Sequence, residues 1–212
     1  MAENPWLAIP VADYEGHMAV AGQLAPLSAI FGEELRRLLP ARVALLGCAA
    51  GNGLEQVDLS VTRRLLAIDV NPDYVELTRE RHGARLGASL EVRCADLERW
   101  PLPRGEFDLV HAALLLEHAD EGKIVPNLAQ ALAPGGRCVV VLQLPSAAAA
   151  ITPSPFASIH RLEPSFHLLP PAQIDRLMDE QGLALEQSRT AAIPNGKELF
   201  VATYFSRSSL AK

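Results

Sequence analysis

One glycine-rich stretch and two single aspartates stand at or just after the ends of three apolar runs in this sequence. Gly47–Gly53 follows the first run, Asp69 ends the second, and Asp96 comes just after the third. A glycine turn lets a ligand approach the backbone closely. Carboxylate oxygens accept hydrogen bonds, so Asp69 is suited to the two hydroxyls of a ribose and Asp96 to the amino group of adenine. Taken in this order, the three features predict a pocket for adenosine.

The glycine stretch differs from the fingerprint of dinucleotide-binding proteins, Gly-x-Gly-x-x-Gly. Counting from Gly47, the second glycine is replaced by Ala49 and the third by Asn52. The pattern that cradles a pyrophosphate is therefore broken. We expect a ligand that contains adenosine but no phosphate, which disfavours a nicotinamide-dependent reductase.

The elements that must position these residues alternate between strands and helices. Apolar periodicity and turn residues predict helices at 26–39, 71–83, 120–132 and 171–181, and a further helix that starts near residue 54. Apolar runs predict strands at 43–46, 65–68, 90–94, 107–113, 138–142, 183–190 and 199–205. Such alternation predicts an α/β fold, a doubly wound and mostly parallel seven-stranded sheet with helices on both faces. The turn Asn195-Gly196 predicts an antiparallel hairpin at its end. Ligands of these sheets bind at the carboxyl ends of the strands.

The composition of the 212 residues, 49% hydrophobic and 21% charged, is typical of one packed domain. The net charge of −6 disfavours a nucleic-acid partner, because phosphate binding needs a dense surface of lysine and arginine. In the arginine-rich stretch Arg79–Arg104 acidic residues are interleaved with the basic ones, which is typical of a solvated surface.

Cys48, Cys94 and Cys138 are far apart and odd in number, a pattern typical of free thiols in a reducing cytoplasm. Their spacing does not suggest a metal site. The first ten residues lack the basic start and long apolar run of a signal peptide. No uncharged apolar stretch reaches the roughly 18 residues of a transmembrane helix. We therefore expect a cytoplasmic protein with no metal and no membrane partner.

The chain resembles the class I S-adenosylmethionine-dependent methyltransferases over roughly residues 40 to 205. The resemblance rests on VALLGCAAGNG at 43–53, LLAIDVNP at 65–72, CADLERWPLPRGEFDLVHAALLLEHAD at 94–120, LAPGGRCVVVLQLP at 132–145 and the terminal hairpin. It implies that S-adenosylmethionine is the cofactor and that its methyl group moves to an acceptor by in-line displacement.

The resemblance also implies roles for particular residues. The methionine part and the ribose edge of the cofactor would contact Gly47, Cys48, Ala49 and Gly51. Asp69 would bind the ribose hydroxyls, and Val70, Asp96 and Leu97 would contact the adenine. The methyl donor would lie near Ala112 and Ala113. The chain departs from the family at Leu45, where an acidic residue is usual, and at Ala49, where glycine is usual. These departures motivate an alternative function, that of a non-catalytic protein binding S-adenosylmethionine or S-adenosylhomocysteine.

The Asn/Asp-Pro-Pro-aromatic motif of relatives that methylate nucleic-acid amino groups is absent, since His111-Ala112-Ala113-Leu114 stands in its place. A small-molecule acceptor is therefore favoured. We expect residues 1–40 to form an N-terminal cap and residues 41–212 the methyltransferase domain. The segment 145–170 is long for a loop, so it is a candidate for a partly helical lid.

Two histidines are candidates for a catalytic base. His17 lies with Tyr14 and Glu15 ahead of the core fold, where Tyr14 or His17 could contact the cofactor's carboxylate or take a proton. The equally weighted alternative is a surface loop with a capping role. His118 follows the fourth strand, where it either acts on the acceptor or packs against a neighbouring loop.

The other residues of interest have simpler interpretations. We expect a satisfied core histidine at 111, a helix-end histidine at 82, exposed loop histidines at 160 and 167, a packing role for Trp100 and a space-filling role for Cys48.

Overall fold

The computed structural model describes residues 4–207 and contains one seven-stranded sheet. The sheet order is β3-β2-β1-β4-β5-β7-β6, with bounds β1 Arg42–Leu46, β2 Arg64–Asp69, β3 Leu90–Cys94, β4 Phe107–Ala113, β5 Leu132–Gln143, β6 Leu183–Ala192 and β7 Glu198–Ser206. Strands β1 to β5 pair in parallel, and β7 pairs antiparallel with both β5 and β6. This topology confirms the predicted fold class.

The helices are α1 Val11–Val20, α2 Leu24–Leu38, α3 Pro72–Leu86, α4 Glu121–Ala131 and α5 Pro171–Glu180. Helix α3 begins as predicted. The Asn71 side-chain oxygen accepts from the Asp73 backbone N–H at 2.9 Å, and Pro72 occupies the first helical position. These two features satisfy one free donor and pre-set the backbone for helix.

Two hydrophobic cores cover the two faces of the sheet, because successive strand residues point to opposite sides. In β1, Ala44 and Leu46 join one core with residues of α4 and α5, while Val43 and Leu45 join the other with residues of α2. Burying a side chain such as Leu46 contributes roughly 1.5–3 kcal/mol. The two cores hold the carboxyl ends of the strands at one edge of the sheet.

The helix predicted from near residue 54 is only a single 3-10 turn, Leu54–Gln56. Val57 is already extended, and Asp58 forms a turn in which its side chain accepts from the Ser60 N–H at 2.8 Å. Too few residues then remain before β2 for a helix. The prediction of a helix here is therefore wrong beyond this single turn.

Three other elements differ from the predicted bounds. Helix α1 covers a segment for which no helix was predicted, and α3 continues past Gly83 to Leu86, where Gly87 at φ 53° ends it. Strand β5 begins at Leu132 and passes through residues 134–136, with a register shift opposite the start of β4. Gly135 at φ 76° provides the backbone conformation that this bulge needs.

A third, smaller core joins two segments that are far apart in sequence. Ile9 is buried against Ile159 and Leu162, and the partly buried Trp6, Tyr14, Ile151 and Phe156 pack around them. Residues 157–162 form a 3-10 helix, so the segment predicted as a partly helical lid has one short helix. We call residues 4–20 and 150–166 together the cover, since both lie over the same edge of the sheet.

Candidate functional site

A cavity lies at the carboxyl ends of the strands, beneath the cover. Its walls include ten of the residues predicted for the site: Tyr14, His17, Gly47, Ala49, Asp69, Val70, Asp96, Leu97, Ala113 and His118. The structure therefore brings together the glycine stretch, the two acidic strand ends and both candidate bases around one space.

Three of the predicted cofactor residues do not line this cavity. Cys48 and Ala112 are buried in the two cores, where their small side chains fill space. Gly51 belongs to the same loop but does not line the cavity, and a Cβ placed on it would meet the His82 ring at 2.7 Å. Of the four loop residues predicted for the cofactor, Gly47 and Ala49 line the cavity and Cys48 and Gly51 do not.

The loop after β1 is held by Asp69. The backbone N–H of Ala49 donates to Asp69 Oδ2 at 2.8 Å, and Thr78 Oγ1 donates to the Ala49 carbonyl at 3.0 Å. Ala49 has φ 46°, a left-handed conformation that glycine usually adopts. These two hydrogen bonds keep the loop in the conformation of a glycine loop although its second glycine is an alanine.

Asp69 itself is almost completely buried, with 8% of its surface exposed. Its second oxygen, Oδ1, accepts from the Asn71 N–H at 2.9 Å. Burial raises the pKa of Asp69 to about 6, and the hydrogen bonds from Asn71 and Ala49 oppose that rise. Each carboxylate oxygen has a second lone pair, so the group can still accept a hydrogen bond from a ligand.

Asp96 lies in the loop after β3 and lines the same end of the cavity. Its Oδ1 accepts from the Glu98 N–H at 3.0 Å, and its Oδ2 lies 3.4 Å from Arg99 Nε. Between Asp69 and Asp96 the wall is apolar, formed by Val70 and Leu97. Two carboxylates beside an apolar wall provide acceptors for hydroxyl and amino groups and a surface for a flat ring.

Tyr14 is part of α1, which excludes the surface-loop interpretation for this segment. Its ring packs against Trp6 at 5.9 Å and Tyr74 at 5.5 Å between centroids. Burial, together with the charge of Asp69, raises the pKa of Tyr14. The phenol is therefore protonated and can donate a hydrogen bond, but it is not a base.

His118 lies between the rings of Trp6 and Phe166, at centroid distances of 5.0 Å and 5.1 Å. Burial, together with the charge of the neighbouring His167, lowers the pKa of His118 to about 4. Among residues 4–207, Nδ1 of His118 has no hydrogen-bond partner. The ring is thus a neutral imidazole that packs under the cover, with Nδ1 buried and unpartnered.

His17 lies near the other end of the cavity and contacts the lid segment. Its Nδ1 is 2.9 Å from Ser154 Oγ. Burial lowers the pKa of His17, and the positive charge of Lys197 lowers it as well. His17 is consequently neutral at physiological pH.

Three polar residues at this end were missed by the sequence analysis. The ammonium of Lys197 donates to the Ala150 carbonyl at 2.7 Å and to Gln143 Oε1 at 3.3 Å, and Gln23 Nε2 donates to the same oxygen at 3.4 Å. Lys197 is 2% exposed, and burial lowers its pKa. Its sequence position, just after Asn195-Gly196, indicated only a hairpin turn.

Glu117 is fully buried below this end of the cavity. Its Oε1 accepts from the Gln143 N–H at 2.7 Å, whereas Oε2 has no partner among residues 4–207. Burial raises the pKa of Glu117 to about 7. The carboxyl thus positions the end of β5, where Gln143 lies.

Several remaining candidates lie outside the cavity walls. His111 is buried beside Phe31, but its Nδ1 has no partner in the described part of the chain, so it is not the satisfied core histidine that was expected. The burial of this ring lowers its pKa to about 4. Leu45 is buried in the core, so the position of the family's usual acid is apolar here.

Four side chains have roles in packing or on the surface. His160 is exposed and pairs with Glu163, and His167 pairs with Glu121. Trp100 packs against the first core and the guanidinium of Arg93. The ring of His82 lies over Gly51. Within residues 4–207, no group of three or more potential ligands could hold a metal ion, and no helix is long and apolar enough to cross a membrane.

Comparison with known proteins gives a family match. A family model described as a methyltransferase domain matches residues 43–136. A curated relative, malonyl-[acyl-carrier protein] O-methyltransferase of Herminiimonas arsenicoxydans, is 30% identical over 164 residues, which cover 75% of this chain and 54% of that protein. The chain thus spans about half the length of this curated relative.

Solved structures share the fold. The 1,6-didemethyltoxoflavin-N1-methyltransferase of Burkholderia thailandensis superposes with a TM-score of 0.68 and 17% identity, covering 92% of this chain and 84% of that one. The N-methyltransferase NodS of Bradyrhizobium japonicum, in complex with S-adenosylhomocysteine, gives a TM-score of 0.63 and 20% identity over 98% and 94% of the two chains. The matched methyltransferase domain and the curated relative support the family that the sequence resembles, the class I S-adenosylmethionine-dependent methyltransferases, and the two solved structures share the fold of this chain.

Proposed function

We propose that this protein transfers the methyl group of S-adenosylmethionine to a small-molecule acceptor. The observation that carries the proposal is a single cavity whose acidic, partly apolar end suits adenosine and whose other end continues beneath the cover. A cofactor bound at the acidic end would therefore meet an acceptor that enters beneath the cover.

The residues at the acidic end fit the cofactor by their chemistry. Asp69 retains free lone pairs for the ribose hydroxyls, Asp96 accepts from the adenine amino group, and Val70 and Leu97 contact the flat ring. Gly47 and Ala49 present backbone to the rest of the cofactor. Cys48, Gly51 and Ala112 support this arrangement from behind the wall.

S-adenosylmethionine, when bound, supplies a methyl group on a positively charged sulfur. The protein then has to align the acceptor and exclude water, since the donor is already activated. The cover performs both tasks: Trp6, Tyr14 and Phe166 enclose the cavity with aromatic surface. In this proposal residues 1–40 act as a cap and 145–170 as a lid on the methyltransferase domain at 41–212.

His118 and His17 are the candidate bases in this proposal. Both rings are neutral, because burial lowers their pKa, so either can take a proton from an acceptor. Nδ1 of His17 is already bonded to Ser154, and Nδ1 of His118 is buried, so in this proposal either residue takes the proton on its other ring nitrogen, Nε2.

The activities for which these relatives are named suggest acceptors for a first screen. One is an O-methyltransferase of a malonyl-[acyl-carrier protein], and the other acts on 1,6-didemethyltoxoflavin. A malonyl thioester and a toxoflavin precursor therefore represent a carboxyl and a ring nitrogen as methyl acceptors. The enclosed cavity and the net charge of −6 support a small molecule over a nucleic acid.

The proposal is tested by calorimetric titration with S-adenosylhomocysteine, with NAD as the control. Binding of S-adenosylhomocysteine alone, followed by radiolabel transfer from S-adenosylmethionine to an acceptor of the screen, is the expected result. Binding without transfer to any acceptor would favour the alternative, a non-catalytic binding protein, which Leu45 and Ala49 motivate. Binding of NAD instead would contradict S-adenosylmethionine as the cofactor, because NAD shares the adenosine but carries a pyrophosphate.

A further inference from the structure

The charges that line the cavity are separated between its two ends. The carboxylates are Asp69 at the end of β2 and Asp96 and Glu98 in the loop after β3. Lys197 directly precedes β7, four strands from β2 in the sheet order, so the backbones of the two ends lie roughly 19 Å apart at the usual spacing of strands. Within residues 4–207 these three are the acidic side chains that line the cavity, and Glu117 is buried below the end where Lys197 lies.

Lys197 is a buried cation without a counter-ion. It is 2% exposed, and among residues 4–207 it forms no ion pair. Its two recorded partners, the Ala150 carbonyl and Gln143 Oε1, are neutral. An ammonium has three N–H donors, so one of them remains for a ligand. Burying an unpaired charge is costly, and proteins usually compensate for it with an opposite charge.

Resting on the proposed function, we infer that Lys197 binds a carboxylate group of the methyl acceptor, and that Gln143 and Gln23 orient this lysine. The site supplies one positive charge, because the neighbouring His17 is neutral. A single charge matches a carboxylate better than a doubly charged phosphate. The position of Lys197 beyond β4 and β5 places this carboxylate on the acceptor side of the cavity.

The cofactor also carries a carboxylate, on its methionine part, so the same chemistry has two sources. We assign the bound carboxylate to the acceptor. Ala113 on β4 marks the predicted place of the methyl donor, and Lys197 lies two strands further along the sheet. Binding of S-adenosylhomocysteine, which has the cofactor's carboxylate, separates the two sources.

The substitution Lys197→Met removes the charge and leaves the two acceptors satisfied. Gln143 Oε1 keeps the donor Gln23 Nε2, and the Ala150 carbonyl keeps the donor Gln143 Nε2 at 2.8 Å. We therefore expect this variant to fold, with a melting temperature equal to or above that of the wild type. Lys123→Met is the matched control, because the side chain of Lys123 is 55% exposed.

The experiment titrates the protein, saturated with S-adenosylhomocysteine, with acetate, butyrate and benzoate and with the three matching amides. We expect the wild type and Lys123→Met to bind carboxylates at least about tenfold more tightly than amides. Lys197→Met should lose this preference and keep its affinity for S-adenosylhomocysteine. The preference of the wild type needs no variant, so it is a test even if Lys197→Met fails to fold.

Two results would overturn the inference. Equal binding of carboxylates and amides by the wild type would mean that Lys197 recognises no anion. A tenfold loss of affinity for S-adenosylhomocysteine in Lys197→Met would mean that Lys197 holds the cofactor. If the wild type does not bind S-adenosylhomocysteine at all, the proposed function fails, while the carboxylate preference is still measured on the ligand-free protein.

Discussion

The two ends of the cavity are built in different ways. The acidic end consists of residues at consecutive strand ends, so Asp69 and Asp96 are close because the parallel sheet aligns them. The basic end joins Gln23, Gln143, Ala150 and Lys197, which come from four separate parts of the chain. The first end is a property of the fold, and the second is a property of this particular chain. This contrast suggests that cofactor affinity depends on the first end and acceptor choice on the second.

The largest effect should come from Asp69→Asn, which tests the acidic end. Both carboxylate oxygens accept from backbone N–H groups, and an asparagine has only one oxygen. One N–H would then face an NH₂ group, so the loop would move and the ribose would lose a charged acceptor. Since bonds to charged groups contribute roughly 1.5–3 kcal/mol each, we expect affinity for S-adenosylhomocysteine to fall about a hundredfold or more. Calorimetry measures this.

Asp96→Asn is the matched comparison at the same end. An asparagine oxygen can still accept from the Glu98 N–H and from an adenine amino group, so we expect a loss of less than about tenfold. Equal losses in the two variants would show that Asp69 has no special role. The pKa of Asp69 also predicts that affinity weakens as the pH falls below about 6, where this carboxylate takes up a proton.

A second prediction concerns Glu117, which supports the basic end. Burial raises its pKa to about 7, so the folded protein retains a proton that the unfolded chain has released. The free energy of unfolding of the wild type therefore falls as the pH rises from about 4.5 to about 7. Glu117→Gln removes this dependence. We expect the variant to gain up to about 3 kcal/mol relative to the wild type between pH 5 and pH 8.

Urea unfolding at the two pH values measures this gain. Glu180→Gln, at an exposed position on α5, is the control and should show the pH dependence of the wild type. Parallel curves for the wild type and Glu117→Gln would show that the carboxyl is not buried in a neutral form.

A third prediction separates two effects at the loop of the acidic end. Gly51 has φ 84°, and its Cβ would meet the His82 ring, whereas Gly87 has φ 53° with open space around it. Gly87→Ala should cost about 1–2 kcal/mol through its backbone conformation alone. Gly51→Ala should cost more, by about 1 kcal/mol, because the ring must also move. Thermal unfolding of both variants gives the difference.

Because Gly51 does not line the cavity, its substitution should act on stability more than on binding. If Gly51→Ala lost binding of S-adenosylhomocysteine while its stability matched that of Gly87→Ala, the side of the loop that faces the ligand would be wrongly placed.

The smallest effect on the affinity for S-adenosylhomocysteine is expected for His17→Gln. This variant tests whether His17 belongs to the acidic or the basic end of the cavity. His17 contacts Ser154 and lies near Lys197, so it belongs to the basic end. We expect its loss to change the affinity for S-adenosylhomocysteine by less than about threefold and to lower the rate of methyl transfer instead. His160→Gln, on the exposed surface of the cover, should change neither. A tenfold loss of S-adenosylhomocysteine affinity in His17→Gln would move His17 to the cofactor.

The parts that sequence predicted correctly depend on local pattern. The apolar runs of β1, β2 and β4 ended where Gly47, Asp69 and Ala113 were expected, because strand length and turn residues are local properties. The family resemblance is supported for the same reason, since its motifs lie in these strand ends.

The parts that sequence missed depend on contacts between distant residues. Helix α1 contains Gly16, and its mixed pattern gave no helical signal; the glycine is needed because the Phe156 ring lies where a side chain would be. Lys197 looked like a turn residue, and its hydrogen-bond partners Gln143 and Ala150 are about fifty residues away. A single sequence carries no local sign of such a contact.

Asn71 has a consequence for the timing of turnover. Its oxygen caps α3, while its Nδ2 donates to the carbonyls of Trp6 at 2.9 Å and Ile9 at 3.3 Å. The same residue neighbours Asp69, which receives its backbone N–H. Lifting the N-terminal part of the cover therefore breaks bonds to the residue that holds Asp69. We expect a variant lacking residues 4–10 to exchange S-adenosylhomocysteine faster than the full chain does.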